Sequence, residues 1–476
     1  MRWAAEVSPL NRPNILLLYT DQQRWDALGA AGNAEIKTPN LDRLAAGGLN
    51  FARFFVQNPV CMPSRVSMLT GRYPSALGIT RNGVPVPPDA LTLPRILRNY
   101  GYYSANIGKL HFLPHANRDH RQVHPDYGFD HLEISDEPGC YEDAYRAWVR
   151  RKAPDQLDGI SVGLPPATEV WQKQMGVRDG IRHPPERFPI RAIPFAARSD
   201  LTHSAFVAEQ TMEFLRGRRD GRPFFCIAGF YSPHSPWVAP REFLELYDPA
   251  SFSIEPYPAS LQADRAKRQC TEAELRAARH GYYAMVSEVD LHVGRILECL
   301  VQAGLAEDTI VVFTSDHGEW LGEHLRYGKG YPATDAISRV PLLVRWPAGV
   351  AAPGRTIDGI CEAVDLVPTL LEWIGVPTPP ALQGRSFAPL ARAEAWSGRT
   401  SALIEGDYWK ALRTAGHHYV LKAGGEEHLY DLAADPRAYR DLAGEPVSTP
   451  ILVDLRLELA RRLIEMERYA DRTWAY

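Results

Sequence analysis

Two acidic positions draw attention because of what precedes them. Asp21 follows the apolar run Ile15 to Tyr19, and Asp316-His317 follows Ile310 to Thr314. Runs of this kind read as buried strands, which places each acid just past a strand's carboxyl end, where open α/β sheets bind ligands. Two carboxylates, the amide oxygen of Gln22 and the imidazole of His317 form an oxygen-rich donor set, suited to Ca²⁺, Mg²⁺ or Mn²⁺ better than to zinc. Each acid taken alone has a plainer role, capping the helix after its strand. A third group is Cys61-Met62-Pro63-Ser64-Arg65. A thiol at a helix mouth feels the positive end of the helix dipole and the nearby guanidinium, although a lone cysteine is more often a small packed hydrophobe.

The elements that must hold these residues alternate along the chain, as expected of an α/β protein with helices on both faces of a large, mostly parallel sheet. Strands are predicted at Asn14 to Tyr19, Tyr103 to Ile107, Pro223 to Phe230, Thr309 to Thr314 and Pro341 to Trp346. Helices are predicted from Pro39 to Leu44, Leu93 to Asn99, Leu201 to Leu215 and Leu366 to Ile374. The longest helix has apolar residues at Leu275, Ala278, Tyr282, Met285, Val289, Val293, Ile296 and Leu300, and Thr271 with Glu274 offers a capping box. Residues 115–197, rich in Pro, Arg, His and Gly, read as a surface insertion in a catalytic domain spanning 1–376. The stiff linker Pro377-Thr378-Pro379-Pro380 introduces a small C-terminal α+β subdomain, 377–476, with four short strands in an antiparallel sheet and a helix from Ile451 to Met466.

Composition removes several function classes. The 476 residues carry 53 basic and 57 acidic side chains, a net charge of −4, which leaves no electrostatic footprint for nucleic acid or an anionic membrane. No apolar stretch has the length of a membrane span. Met1 to Pro13 contains Arg2, Glu6 and Arg12 and no apolar core, so the chain reads as cytoplasmic. The six cysteines are scattered without a C-x-x-C pair, against both a disulfide framework and a structural zinc site.

Cys61-x-Pro63-Ser64-Arg65 followed by Leu69-Thr70-Gly71-Arg72 resembles the signature of the type I sulfatases, members of the alkaline phosphatase superfamily, in which a separate maturation enzyme oxidises the cysteine to formylglycine. Further blocks resemble the family in its own order: Thr38 to Leu44, Gly108-Lys109-Leu110-His111, Ser232 to Pro236, Thr314 to Glu319, Lys329, Asp365 to Leu371 and His428 to Leu432. The resemblance runs from Pro13 to Leu442 and is weakest in the insertion. It implies an alkaline-phosphatase-like fold and a hydrated formylglycine at position 61, one hydroxyl attacking sulfur and the other allowing sulfate to leave by elimination. It also implies that Asp21, Asp316 and His317 hold one divalent cation, Ca²⁺ first among the candidates, with Gln22 and residue 61 as further ligands. Arg65 would hold the diol, Lys109 and Lys329 would neutralise sulfonyl oxygens, His111 would be the base that breaks the sulfo-enzyme, and His234 would assist the leaving oxygen. Only eight of the basic residues are lysines, so two of them in matching blocks carry weight. Asn82 is a further candidate for the diol pocket, a turn asparagine being the other reading.

The departures are Gln22, where many sulfatases have a second Asp, and His317, where many have Asn. Both occur together in choline-sulfatase-like and phosphonate-hydrolase-like members. The expectation is therefore a sulfatase acting on a small sulfate ester, served transiently by a formylglycine-generating enzyme, with no nucleic-acid or membrane partner and with homo-oligomerisation left open. Its rivals are a phosphonate monoester or phosphodiester hydrolase, which the tail Tyr469-Ala470-Asp471-Arg472-Thr473 also resembles, and a non-catalytic binding protein of the same fold.

Overall fold

Strand β1 (Asn14–Thr20) is apolar on both sides, and its side chains alternate between two cores. Ile15, Leu17 and Tyr19 join one hydrophobic cluster and Leu16 and Leu18 the other, as a strand covered by helices on both faces requires. In the computed structural model, which describes residues 12–115, 122–163, 166–176, 180–186, 188–218 and 221–467, this strand lies near the middle of an eight-stranded sheet. The other strands in chain order are β2 (Leu49–Phe51), β3 (Tyr103–Gly108), β4 (His131–Ile134), β5 (Phe224–Gly229), β6 (Thr309–Ser315), β7 (Leu342–Arg345) and β8 (Arg355–Ile357). Their spatial order is β8-β2-β7-β6-β1-β5-β3-β4. The five strands from β6 to β4 are mutually parallel, and β7 runs antiparallel to both of its neighbours.

Among the helices around the sheet are α1 (Pro39–Ala46), α2 (Cys61–Thr70), α3 (His203–Gly217), α4 (Glu272–Gln302) and α5 (Leu366–Trp373). Pro39 starts α1, where its missing N–H costs nothing. The capping box of Thr271 and Glu274 closes the start of α4 as the sequence indicates. Every residue of α2 is buried, so the hydrophilic Ser64, Arg65 and Ser67 lie inside the molecule and must find partners there.

The C-terminal sheet consists of β9 (Ser401–Gly406), β10 (Trp409–Thr414), β11 (His417–Lys422) and β12 (Glu427–Asp431), all antiparallel, and α6 (Thr449–Met466) covers one face. Leu403, Leu412, Tyr419 and Leu429 from the sheet meet Leu452, Leu455 and Leu459 from the helix. The chain does not leave the large domain at the proline-rich linker. Leu382, Phe387, Ala388 and Ala391 still pack in its core, and Gln383 N–H donates to the Gly71 carbonyl at 2.8 Å. The small sheet's own chain starts at Ser401.

Residues 115–197 are more than a surface feature. They supply the edge strand β4, and Tyr145, Trp148 and Val149 pack in the same core as α3. The edge strand escapes a periodicity search because all four of its residues are half-buried. The tail motif at 469–473 and residues 1–11 lie outside the described residues. All six cysteines are unpaired, and among the described residues no helix is long and apolar enough to cross a membrane.

Candidate active site

Strand register assembles the site. Thr20 of β1 pairs with Ser315 of β6, Tyr19 with Gly229 of β5, and Gly229 with Gly108 of β3. Four adjacent parallel strands thus end almost level, and the next residues are Asp316, Asp21, Phe230 and Lys109. Gly108 has φ +92°, and a Cβ there would run into the Gly229 carbonyl, so glycine is what lets the chain turn Lys109 inward. The N-terminus of α2 brings Cys61 to the same edge, with Sγ 3.2 Å from His317 Nε2 and 3.9 Å from Asp21 Oδ1. Asp21, Cys61, Asp316 and His317 each offer a ligand atom, all within 4.8 Å of one another.

The chemistry of this donor set fits a divalent cation. His317 Nδ1 lies 2.8 Å from the Gly318 carbonyl, which can only accept, so Nδ1 carries the proton and the Nε2 lone pair faces inward. That nitrogen lies 3.6 Å from both Asp21 Oδ1 and Asp316 Oδ1. Gln22, at φ +70°, donates through Nε2 to the buried Glu319 carboxylate, which turns its Oε1 toward the cluster. The Tyr282 hydroxyl of α4 donates to the Gln22 carbonyl at 2.7 Å and fixes the turn. One positive charge already sits among these acceptors. Lys329 Nζ is 2.7 Å from Cys61 Sγ, 3.2 Å from Gln22 Oε1, 3.2 Å from His317 Nε2 and 3.0 Å from His234 Nε2.

Cations line the other side. Arg65 Nε donates to Asp316 Oδ2 at 2.7 Å, with Asp21 Oδ2 3.4 Å from Nη2. Lys109 Nζ is 3.0 Å from the same Asp21 oxygen. Burial alone would raise the Asp21 carboxyl, but Lys109, Lys329 and Arg65 together hold it well below the usual carboxylate range. The same environment reverses the expectation for Cys61. The nearby lysines favour thiolate, yet burial and the Asp21 charge push the thiol up to about 12.

Both remaining histidines are neutral. Burial and Lys329 bring His234 down to about 3, and its Nδ1, 2.6 Å from the Ser235 carbonyl, keeps the proton so that Nε2 accepts from Lys329. Burial, Lys109 and His115 hold the His111 imidazole well below its ordinary range. Asp136 fixes the backbone there by accepting the Leu110 and His111 N–H groups at 3.0 and 2.8 Å. Asn82 is exposed, and its Oδ1 accepts the Met62 N–H at 3.0 Å, so it caps the mouth of α2 without reaching the acceptor cluster.

Sequence reasoning missed Glu319, Asp136, Glu137 and His115. Glu319 stands within the Thr314 to Glu319 block, where a third acid or imidazole position beside Asp316-His317 was a usable signal; the other three carry none. Two cavities of about 460 and 510 Å³ lie near Arg24, Asp26, Glu323 and Arg437, and neither contains Cys61. Their lining charges are closed pairs such as Arg24–Asp26 and Arg24–Glu323, both at 2.6 Å. Convergent reactive groups, rather than cavity size, locate the site.

The chain is similar to known proteins along most of its length. The sulfatase family model matches residues 13–376, and that of the N-sulphoglucosamine sulphohydrolase C-terminal region matches residues 322–465. The multifunctional alkaline phosphatase superfamily protein PehA of Trinickia caryophylli is 30% identical across 98% of this chain and 97% of its own. An arylsulfatase of Clostridium perfringens is 28% identical across 90% of each chain. The crystal structure of the phosphonate monoester hydrolase of Agrobacterium radiobacter superposes with a TM-score of 0.78 at 27% identity, covering 96% of this chain and 95% of that one.

Proposed function

Because this chain belongs to the sulfatase family and is therefore a sulfuric ester hydrolase, we propose that it cleaves sulfate monoesters with residue 61, converted from cysteine to formylglycine, and one divalent cation. The observation that carries this reading is the convergence on Cys61 of Asp21, Asp316 and His317 from two neighbouring strand ends, with Lys329 at 2.7 Å from the sulfur. Asp21, Asp316 and His317 would hold the cation, with Gln22 and residue 61 beside them, and Ca²⁺ is favoured by the predominance of oxygen donors. The cation's chemistry is to polarise a sulfonyl oxygen. Hydrated formylglycine supplies the attacking hydroxyl.

The chain's own groups do the rest. Arg65, locked on Asp316, presents a fixed guanidinium beside residue 61. Lys109 and Lys329 are preorganised donors for sulfonyl oxygens as negative charge develops there. His111 is neutral and so available as a base. His234 accepts from Lys329 through Nε2, which keeps that ammonium aimed into the site, where it assists the leaving oxygen.

A second reading, phosphonate monoester hydrolysis, is favoured by the likeness to the Agrobacterium radiobacter enzyme. Lys109 separates the two. A sulfate monoester offers three nonbridging oxygens, whereas a phosphonate monoester replaces one with carbon. Leaving a buried lysine without that partner costs about 1–3 kcal/mol, or roughly tenfold to a hundredfold in rate. The test compares kcat/KM for an aryl sulfate and the matched phenylphosphonate ester, using protein whose residue 61 conversion has been measured by mass spectrometry. A higher value for the sulfate supports the first reading; a higher value for the phosphonate replaces it with the second.

A further inference from the structure

Lys109 is fully buried, and its ammonium stands between two acids carried by different strand ends. Asp21 Oδ2, just past β1, is 3.0 Å away, and Glu137 Oε1, three residues past β4, is 3.5 Å away. The ring face of Tyr231 closes a third side at 4.7 Å. The two acids are not equivalent. Asp21 also faces Arg65 and belongs to the proposed ligand set, whereas Glu137 faces Lys109 and His115, whose Nε2 is 3.1 Å from the same Oε1.

This asymmetry sets the position of the ammonium. In a water-poor site an unbalanced attraction is strong, so with Asp21 as its one anionic neighbour Lys109 would be drawn fully onto that carboxylate. It would then be withdrawn from any substrate oxygen and would compete for the acid needed by the cation. A second carboxylate on the far side opposes that pull. Glu137 is buried, with His115 Nε2 beside its carboxylate.

We propose that Glu137 is a positioning residue for Lys109, a counter-anchor that balances Asp21 and leaves the ammonium free to meet the sulfonyl oxygen which a sulfate monoester has and a phosphonate monoester lacks. This rests on the reading of Lys109 as a sulfonyl-oxygen donor. It assigns a role in substrate discrimination to the segment 115–197, through an acid that acts on the lysine.

The test is a double-mutant cycle on fully converted protein with Glu137→Gln, Lys109→Ala and the pair, measuring kcat and KM on the aryl sulfate and the phenylphosphonate ester, with thermal unfolding alongside. Glu137→Gln is expected to lower kcat/KM on the sulfate about tenfold, mainly through kcat, with a smaller loss on the phosphonate. Added to Lys109→Ala, it is expected to cost nothing further, because both changes act through one ammonium. Glu137→Asp, which keeps the charge, is expected to restore most of the sulfate preference. Glu137→Met, uncharged and of similar length, repeats the measurement if Glu137→Gln does not fold. Equal losses on both substrates, full additivity with Lys109→Ala, or unchanged kinetics in a folded Glu137→Gln or Glu137→Met would overturn the proposal while leaving Lys109 in its role. A Lys109→Ala enzyme with the wild-type substrate preference would instead overturn the reading of Lys109, and the proposal with it.

Discussion

Two clusters of buried charge in this molecule are built on opposite plans. At the seam between the large domain and the C-terminal sheet, Glu362 accepts from Arg462 at 2.7 Å, the Tyr73 hydroxyl at 2.6 Å and the Leu403 N–H at 2.6 Å, and forms an ion pair with Arg399 at 2.9 Å. Asp365 accepts from Arg399 and from the Arg385 and Glu362 N–H groups. Two acids face two guanidiniums, and every carboxylate oxygen has its donors. At the strand ends, by contrast, Asp21, Asp316 and His317 turn lone pairs toward one another with Lys329 among them. A closed network locks one geometry. An open one leaves lone pairs converging on one point, a place for a further cation. The same residue types serve position in one place and reaction in the other.

The sharpest way to test that contrast is to remove the reacting atom. Cys61→Ala should lower turnover roughly 10⁴-fold or more while the urea midpoint stays where it is, as expected of a group used for chemistry. Retention of a few per cent of activity would place the reaction elsewhere. Asp316→Ala should cost about 10³-fold in kcat/KM and most of the bound metal, because it removes a ligand and the partner of Arg65 together. Elemental analysis decides this: full occupancy in the variant would remove Asp316 from the ligand set.

Opening the closed network should give the reverse pattern. Glu362→Ala leaves Arg399 and Arg462 buried without their shared acid, and should destabilise the protein by about 3–5 kcal/mol in urea unfolding. Its kcat, measured where the variant is folded, should remain within about threefold of wild type if the seam only positions domains.

The smallest effect concerns His418, on the same small sheet, whose Nε2 donates to the Pro332 carbonyl at 2.9 Å. Burial pushes this imidazole down to about 4 from the ordinary 6.5. As pH falls, the unfolded chain therefore takes up the proton first. The contribution is complete above about pH 6.5 and is lost on the way down to about pH 4, a change on the order of 3 kcal/mol. His418→Gln should flatten the stability curve in that window; an unchanged slope would show that the ring titrates normally in the folded protein.

Much of the reactive cluster was legible because strands announce themselves. Asp21 and Asp316-His317 follow runs whose apolar content marks them as buried, and a parallel sheet brings such ends together whatever their separation in the chain. Cys61 and Lys109 were legible only through the resemblance of their surrounding blocks. Glu137 was not, because it follows an edge strand with no alternation and acts by its distance to a lysine on another strand. The partners Tyr73, Glu362, Arg399 and Arg462 come from four separate segments, and nothing local marks any of them as belonging together. The packing of residues 382–391 against the large core was hidden for a related reason. A proline-rich stretch looks like an exit, while the return of Leu382 to the surface of α2 beside Gly71 is a tertiary fact.

The level strand ends impose a division on which length changes this protein can survive. Removing a single residue inside β1 or β6 would move Asp21 or Asp316 by about 3.3 Å and turn it to the opposite face of the sheet. The apolar content would still support a folded sheet, but one with its two acids out of reach of each other. Lengthening an exposed turn such as the one after α4 alters neither spacing. Indels are therefore sorted by the strands: those inside β1 or β6 erase the acceptor cluster, and those in exposed turns leave the set of reacting atoms unchanged.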